Sequence, residues 1–235
     1  MEFLAWEEPK KIMVILAHPD DPEFFMGGTI AEWVQQGHEV SYLLLTKGQK
    51  GVSPEFPDAT LLEQIRVREQ RNAAAKLGVR NVDFLDFQDG YLVPDLEARK
   101  KVAREIRKAR PNIVASCDPL LIYQWGRINH PDHRAAGQIV IDAMFPAVIN
   151  PAFFPELLEE GLTPHRVEEL WLSLPVEANF EMDVSKFWQQ RLDALLEHVS
   201  QVGQPDAFLE HMEARRKARW GEAMCYVEPF RRLIL

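Results

Sequence analysis

Two short segments hold most of the residues able to do chemistry. His18-Pro19-Asp20-Asp21-Pro22-Glu23 places one histidine and three carboxylates within six positions, and Asn129-His130-Pro131-Asp132-His133 adds two histidines three apart. Three of the chain's seven histidines fall here, which favours a joint role over scattered surface or capping imidazoles. Anionic side chains repel a phosphate and attract a cation, and this mix of nitrogen and oxygen donors suits a catalytic divalent metal. Neither G-x-G-x-x-G nor G-x-x-x-x-G-K-[ST] occurs, so the dinucleotide and P-loop readings have no motif to rest on.

These segments need a frame that brings them together. Ile12 to Ala17 is an unalternated apolar run, the mark of a strand covered on both faces. Helical spacing follows over Gly28–Gln36, then strand over Val40–Leu45, helix over about Thr60–Leu77, strand over Val82–Leu85, helix over about Leu96–Ala109 and strand over Ile113–Ser116. This rhythm predicts an α/β fold: a Rossmann-like, mostly parallel sheet with helices on both faces. Ligands of such sheets bind outside the carboxyl ends of the strands, and both histidine segments fall there. Further on, the pattern predicts a helix over about Arg134–Met144, an irregular excursion over Asn150–Glu160, a strand over Glu169–Leu174, an amphipathic helix over Asp183–His198 and a solvated helix over Glu210–Arg219. One domain is expected, with its core at about 11–150 and a C-terminal extension at about 151–235 walling the pocket.

Composition narrows the function. The chain has 235 residues, 46% hydrophobic and 27% charged, enough to bury a core. Lys and Arg number 27 against 36 Asp and Glu, a net charge of −9, which argues against nucleic acid and anionic membrane surfaces as partners. No run approaches ~20 apolar residues, so no membrane span is expected. The acidic start lacks the basic and apolar regions of a signal peptide. Cys117 and Cys225 are too far apart in sequence for a disulfide framework or metal knuckle and are expected to be reduced, in a cytoplasmic protein. Phe153 to Leu158 is apolar enough for core cover or for a contact within a homo-oligomer.

The motifs Ala17-His18-Pro19-Asp20-Asp21-Pro22-Glu23, with Gly27-Gly28-Thr29 behind them, and His130-Pro131-Asp132-His133-Arg134-Ala135-Ala136-Gly137 resemble those of the LmbE-like, or PIG-L-like, zinc-dependent N-deacetylases. Thr46-Lys47-Gly48, Arg66, Glu69, Asp89-Gly90 and His198-Val199-Ser200-Gln201 extend the likeness over about Ile12–Gln201. The resemblance implies removal of acetyl from an N-acetylglucosamine-type amino-sugar conjugate, a small-molecule partner. It implies zinc held by His18, Asp21 and His133, with another divalent metal such as Fe2+ as an alternative. Spacing also favours Asp21 over Asp20 as the ligand beside His18. Asp20 is then the general base on a metal-activated water, His130 the donor to the oxyanion or leaving amine, and Asp132 the group that orients His130 or a ligand. Some relatives carry a tyrosine two residues before the first histidine of H-P-D-H. Here that position is Ile128, and either the adjacent Arg127 supplies the donor or the site does without one.

Other residues carry plainer readings beside functional ones. Arg66, Lys47, Asp89 and Asp118 are sugar-hydroxyl partners or exposed charges. Glu23 reads as a helix N-terminal charge ahead of a partner that supports the metal ligands, His198 as packing ahead of catalysis, and Trp125 as a stacking platform or loop anchor. Arg215-Arg216-Lys217, flanked by acids, reads as a solvated face. Two rival functions remain: a 2-His-1-carboxylate iron oxygenase, whose usual architecture is a β-barrel, and a non-catalytic sugar- or metal-binding module.

Overall fold

The structure, a computed structural model, describes residues 6–51, 58–124, 126–220 and 223–235, without the side chains of 215–224. Trp125 and the side chains of Arg215, Arg216 and Lys217 therefore lie outside the described residues. The chain alternates β1 (Lys11–Leu16), α1 (Asp21–Gln35), β2 (Glu39–Thr46), α2 (Ala59–Lys76), β3 (Asn81–Phe87), α3 (Leu96–Ala109) and β4 (Ile113–Cys117). A small ribbon, β5 (Tyr123–Gln124) and β6 (Arg127–Ile128), leads into α4 (Pro131–Asp142), which a π-helical stretch continues over Ala143–Val148. Then come α5 (Glu156–Glu159), β7 (Glu169–Ser173), β8 (Phe180–Asp183), α6 (Trp188–Leu195), α7 (Val199–Val202), α8 (Pro205–Arg216), β9 (Lys217–Trp220) and β10 (Ala223–Ile234).

The main sheet runs β3-β2-β1-β4-β7-β10-β8. Its first five strands are parallel, and β10 runs antiparallel to β7 and β8. The unalternated run of β1 is explained by burial of Ile12 to Leu16 on both faces. The chain winds outward through β2 and β3, then returns to lay β4 on the free edge of β1, so the winding reverses between β1 and β4. Right-handed crossovers then send α1 and α2 to one face and α3 and α4 to the other. Helix α6 packs on the first pair, and α3 packs on α4.

Helix α1 starts at Asp21 rather than Gly28, because the stretch expected to be a polar loop is a first helical segment joined to the second through a kink at Met26 (φ −150°). A kink frees carbonyls before it and amides after it. Arg191 donates from Nε to the Glu23 carbonyl at 2.9 Å and from an amino nitrogen to the Phe24 carbonyl at 2.6 Å. Glu228 accepts from the Gly28 and Thr29 amides at 3.0 and 2.8 Å and from the Thr29 hydroxyl at 2.6 Å. Both side chains are fully buried, so the Gly27-Gly28-Thr29 turn rests on charges from the other end of the chain.

The late elements differ from expectation. Asp183–His198 is not one helix: Asp183 ends β8, a 3-10 turn spans Ser185–Phe187, and α6 follows. The helix expected over Glu210–Arg219 lies at Pro205–Arg216 and gives way to β9. Strand β10 is not announced by its sequence, since Pro229 and the charges of Glu228, Arg231 and Arg232 break its apolar pattern. Its register explains the proline: β8 pairing covers Val227 to Phe230 and β7 pairing begins at Phe230, so Pro229 sits where the strand has only one partner. In the Phe153–Leu158 segment Leu157 is fully buried, which assigns that residue to core cover.

Candidate active site and metal centre

The loop after β1 delivers His18, Asp20 and Asp21, and the loop after β4 delivers His130 to His133 at the start of α4. Because β1 and β4 are neighbours, the two segments face one another across the winding reversal. They open on a cavity of about 350 Å3 whose lining includes His18, Asp20, Asp21, His130, His133, Arg66 and Asp89. Nitrogens of His18, His130 and His133 lie within 4.8 Å of one another, as do ligand atoms of His18, Asp89 and Asp132.

Hydrogen bonds fix which ring nitrogens are free. His133 Nδ1 meets Asn129 Oδ1 at 3.0 Å. An amide oxygen only accepts, so Nδ1 carries the proton and Nε2 presents its lone pair. That Nε2 lies 3.1 Å from Asp21 Oδ1. His18 Nε2 meets Asp132 Oδ2 at 3.2 Å and Asp89 Oδ1 at 3.1 Å, while Nδ1 lies 3.5 Å from Asp21 Oδ2. Each histidine thus donates outward to a supporting group and turns its other nitrogen toward one carboxylate. A bare nitrogen lone pair facing a carboxylate is repulsive, so these two nitrogens either carry protons and donate to Asp21 or are joined to it by a cation, and His18, Asp21 and His133 fit a divalent metal in the second way.

The surroundings support that arrangement. Asp132 is fully buried and also accepts from the Gly90 and Leu92 amides at 2.7 and 3.2 Å. Asp89 accepts from the Lys50 amide at 3.0 Å. Burial alone would raise the Asp21 carboxyl, but His133 and His18 outweigh it and hold it far below the usual carboxylate range. His18 shows the converse: burial disfavours its charge, yet hydrogen bonds to Asp132, Asp21 and Asp89 raise it well above an ordinary imidazole.

Asp20 occupies the helix-capping position with φ 93°, yet makes no cap hydrogen bond. Burial raises its carboxyl above the normal value despite the opposing pull of Arg66. Arg66 is buried and donates to the Pro19 carbonyl at 2.6 Å, to the Gly48 carbonyl at 2.9 Å and to Asp20 Oδ2 at 3.1 Å. His130 Nδ1 accepts the Asp132 amide at 3.2 Å, so the neutral ring carries its proton on Nε2. Burial, with the neighbouring His18 and His133, lowers its pKa.

Several expected roles change. Glu23 is not a solvated first-turn charge but a fully buried carboxylate, accepting from Gln70 Nε2 at 3.0 Å on each oxygen and lying 3.2 Å from His198 Nε2. His198 is fully buried and packed as expected, with this polar contact in addition. Arg127 is exposed on the β5–β6 ribbon and is not among the residues lining the cavity. Lys47 pairs with Glu63 at 3.0 Å, and Asp118 accepts from the Leu120 and Val176 amides at 2.9 Å each, which occupies both as structural groups. Sequence reasoning missed Asn129, which precedes the second motif directly, and Lys50, Phe24 and Phe25 in the cavity lining. The described lining residues all precede residue 134, and the extension supports them from behind through Arg191, His198 and Glu228.

Fold and site together define the class, an α/β protein with a candidate His/Asp metal centre at the switch point of its mostly parallel sheet. Residues 13–144 match the PIG-L family, GlcNAc-PI de-N-acetylase. Diacetylchitobiose deacetylase of Thermococcus kodakarensis is 36% identical over 196 residues, covering 83% of this chain and 72% of that protein. The probable N-acetyl-alpha-D-glucosaminyl L-malate deacetylase 2 of Bacillus anthracis is 27% identical, covering 82% of this chain and 81% of that one. Among solved structures, the N,N'-diacetylchitobiose deacetylase from Pyrococcus horikoshii, complexed with its inhibitor MPG, superposes with a TM-score of 0.87 at 32% identity, covering 97% of this chain and 85% of that one. The chain belongs to the PIG-L family, a family of metal-dependent deacetylases, and is an N-deacetylase. The oxygenase alternative finds no support in the relatives or in the sheet. No helix among the described residues is long and apolar enough to cross a membrane.

Proposed function

We propose that the chain removes the N-acetyl group of an N-acetylglucosamine-type conjugate, using zinc held by His18 Nδ1, Asp21 and His133 Nε2. The observation that carries this reading is the convergence of one nitrogen each from His18 and His133 on Asp21, with the carboxylate of Asp20 in the same cavity. Bound zinc supplies Lewis acidity toward the acetamide oxygen and toward water. Asp20 takes the proton of the attacking water, and its raised pKa suits holding that proton until the amine leaves. His130 donates from Nε2 to the oxygen on which negative charge develops. Asp132 keeps His18 in the tautomer that leaves Nδ1 free.

Arg66 and Asp89, at the cavity wall, are proposed to meet sugar hydroxyls, while the exposed Arg127 has no such support. The relatives named for diacetylchitobiose and for N-acetylglucosaminyl malate suggest a small conjugate of N-acetylglucosamine. We read the chain as one domain. The buried thiol of Cys117, which is in no disulfide, accords with a reducing, cytoplasmic setting. The test is amine release from a panel of N-acetylated amino-sugar conjugates by the zinc-loaded protein, with and without chelator. Chelator-sensitive release from at least one conjugate is expected. Absence of release from every conjugate, with metal bound, overturns the proposed N-acetylglucosamine-type substrate and the roles assigned at this cavity.

A further inference from the structure

Asp20 sits in a conformation that needs explaining. Among the described residues four non-glycine positions have positive φ, and at 93° that of Asp20 is the largest. Such a backbone is strained for any residue with a Cβ. An aspartate at a helix cap normally turns its carboxylate onto its own helix's amides, yet this one makes no such bond. The carboxylate is instead turned to Arg66 at 3.1 Å and to the cavity.

The group that secures this backbone comes from the middle of α2. Gln70, fully buried, accepts the Asp20 amide on Oε1 at 2.7 Å. Its Nε2 donates to both oxygens of Glu23 at 3.0 Å. A carboxylate only accepts, so Glu23 forces the NH2 of Gln70 toward itself and the oxygen toward Asp20. His198 Nε2, on the far side at 3.2 Å, holds Glu23 in place. We propose that Gln70, oriented by Glu23, is a positioning residue that keeps Asp20 in its left-handed conformation and so presents the carboxylate to the cavity rather than to its own helix.

The role of Asp20 as base rests on the proposed deacetylase reading, but the conformational part does not. Gln70→Met keeps the length and packing of the side chain and loses both hydrogen bonds. Misplacement of a reacting group by about 1 Å costs on the order of 10²-fold in rate. The expected result is kcat lowered about 10- to 100-fold, with KM and bound zinc close to wild type and the melting temperature lowered, since the buried Glu23 carboxylate and the Asp20 amide lose their partner. Glu23→Gln should lower kcat less, and the double variant should be no worse than Gln70→Met alone, because Glu23 acts through Gln70. In a crystal structure of Gln70→Met, residue 20 should leave the positive-φ region or its carboxylate should leave Arg66. Gln70→Asn, too short to span both partners, replaces Gln70→Met if that variant does not fold. Unchanged kcat, additive effects in the double variant, or an unmoved residue 20 each overturn the proposal. If the wild type releases no amine from any conjugate, the functional reading falls while the crystallographic comparison still decides the role of Gln70.

Discussion

His18 Nε2 lies 3.2 Å from Asp132 Oδ2, a buried hydrogen bond that joins the two histidine segments through residues 114 positions apart. Groups of this kind set the tautomer of a metal-binding histidine, and their loss weakens metal affinity about 10- to 100-fold. Asp132→Asn is expected to fall in that range, measured by competition with a chelating dye. Affinity equal to wild type would remove Asp132 from the metal site.

Asp20 and the proposed ligands should separate cleanly. Asp20→Asn is expected to lower kcat about 10²- to 10⁴-fold with bound metal unchanged by elemental analysis. His133→Ala is expected to lose the metal itself. Loss of metal from Asp20→Asn would make Asp20 a ligand instead.

Gly28 has no room for a side chain. A Cβ there would stand 2.5 Å from Val184 Cβ, and forced overpacking of a core costs about 1–3 kcal/mol. Gly28→Ala should lower the melting temperature accordingly, and Val184→Ala in the same chain should not restore it, since alanine keeps the clashing Cβ. An unchanged melting curve would show that the kink of α1 can shift.

Glu169 supplies a pH dependence away from the metal. Burial alone would raise its carboxyl, but Arg232, Trp6 and Trp171 outweigh it and hold it low. Both carboxylate oxygens meet Arg232 at 2.8 Å, which ties β7 to β10. A depressed native pKa gives stability that is present above the unfolded carboxyl's ~4.3 and is lost as pH falls through the lower native value. Glu169→Gln should cost about 2 kcal/mol at pH 7, and its melting temperature should converge on wild type on acidification. Parallel curves at all pH values would remove this pair from the acid sensitivity.

The parallel half of the sheet and the cavity's ionisable residues other than Lys50 were legible because each is encoded locally. Burial on both faces leaves an unbroken apolar run in β1, and His18, Asp20, Asp21, His130 and His133 cluster in two short motifs. What stayed hidden depends on distant partners. Glu23 looks like any first-turn acid until Gln70 and His198 arrive from 47 and 175 positions away. The charges of β10 look solvated until Glu228 meets the kink of α1 and Arg232 meets Glu169. The positive φ of Asp20 has no signature in its residue type, since an aspartate before a helix ordinarily caps it.

The bond from Gly28 to Glu228 closes a loop of 200 positions, and its consequence concerns the order of events during synthesis. A ribosome makes the first histidine loop early, but the carboxylate that caps the helix behind it appears 200 positions after Gly28. Contacts of such separation form late. The nascent chain therefore carries its two histidine segments before it can lock the helix between them, and completion of the candidate site waits until β10 has left the exit tunnel.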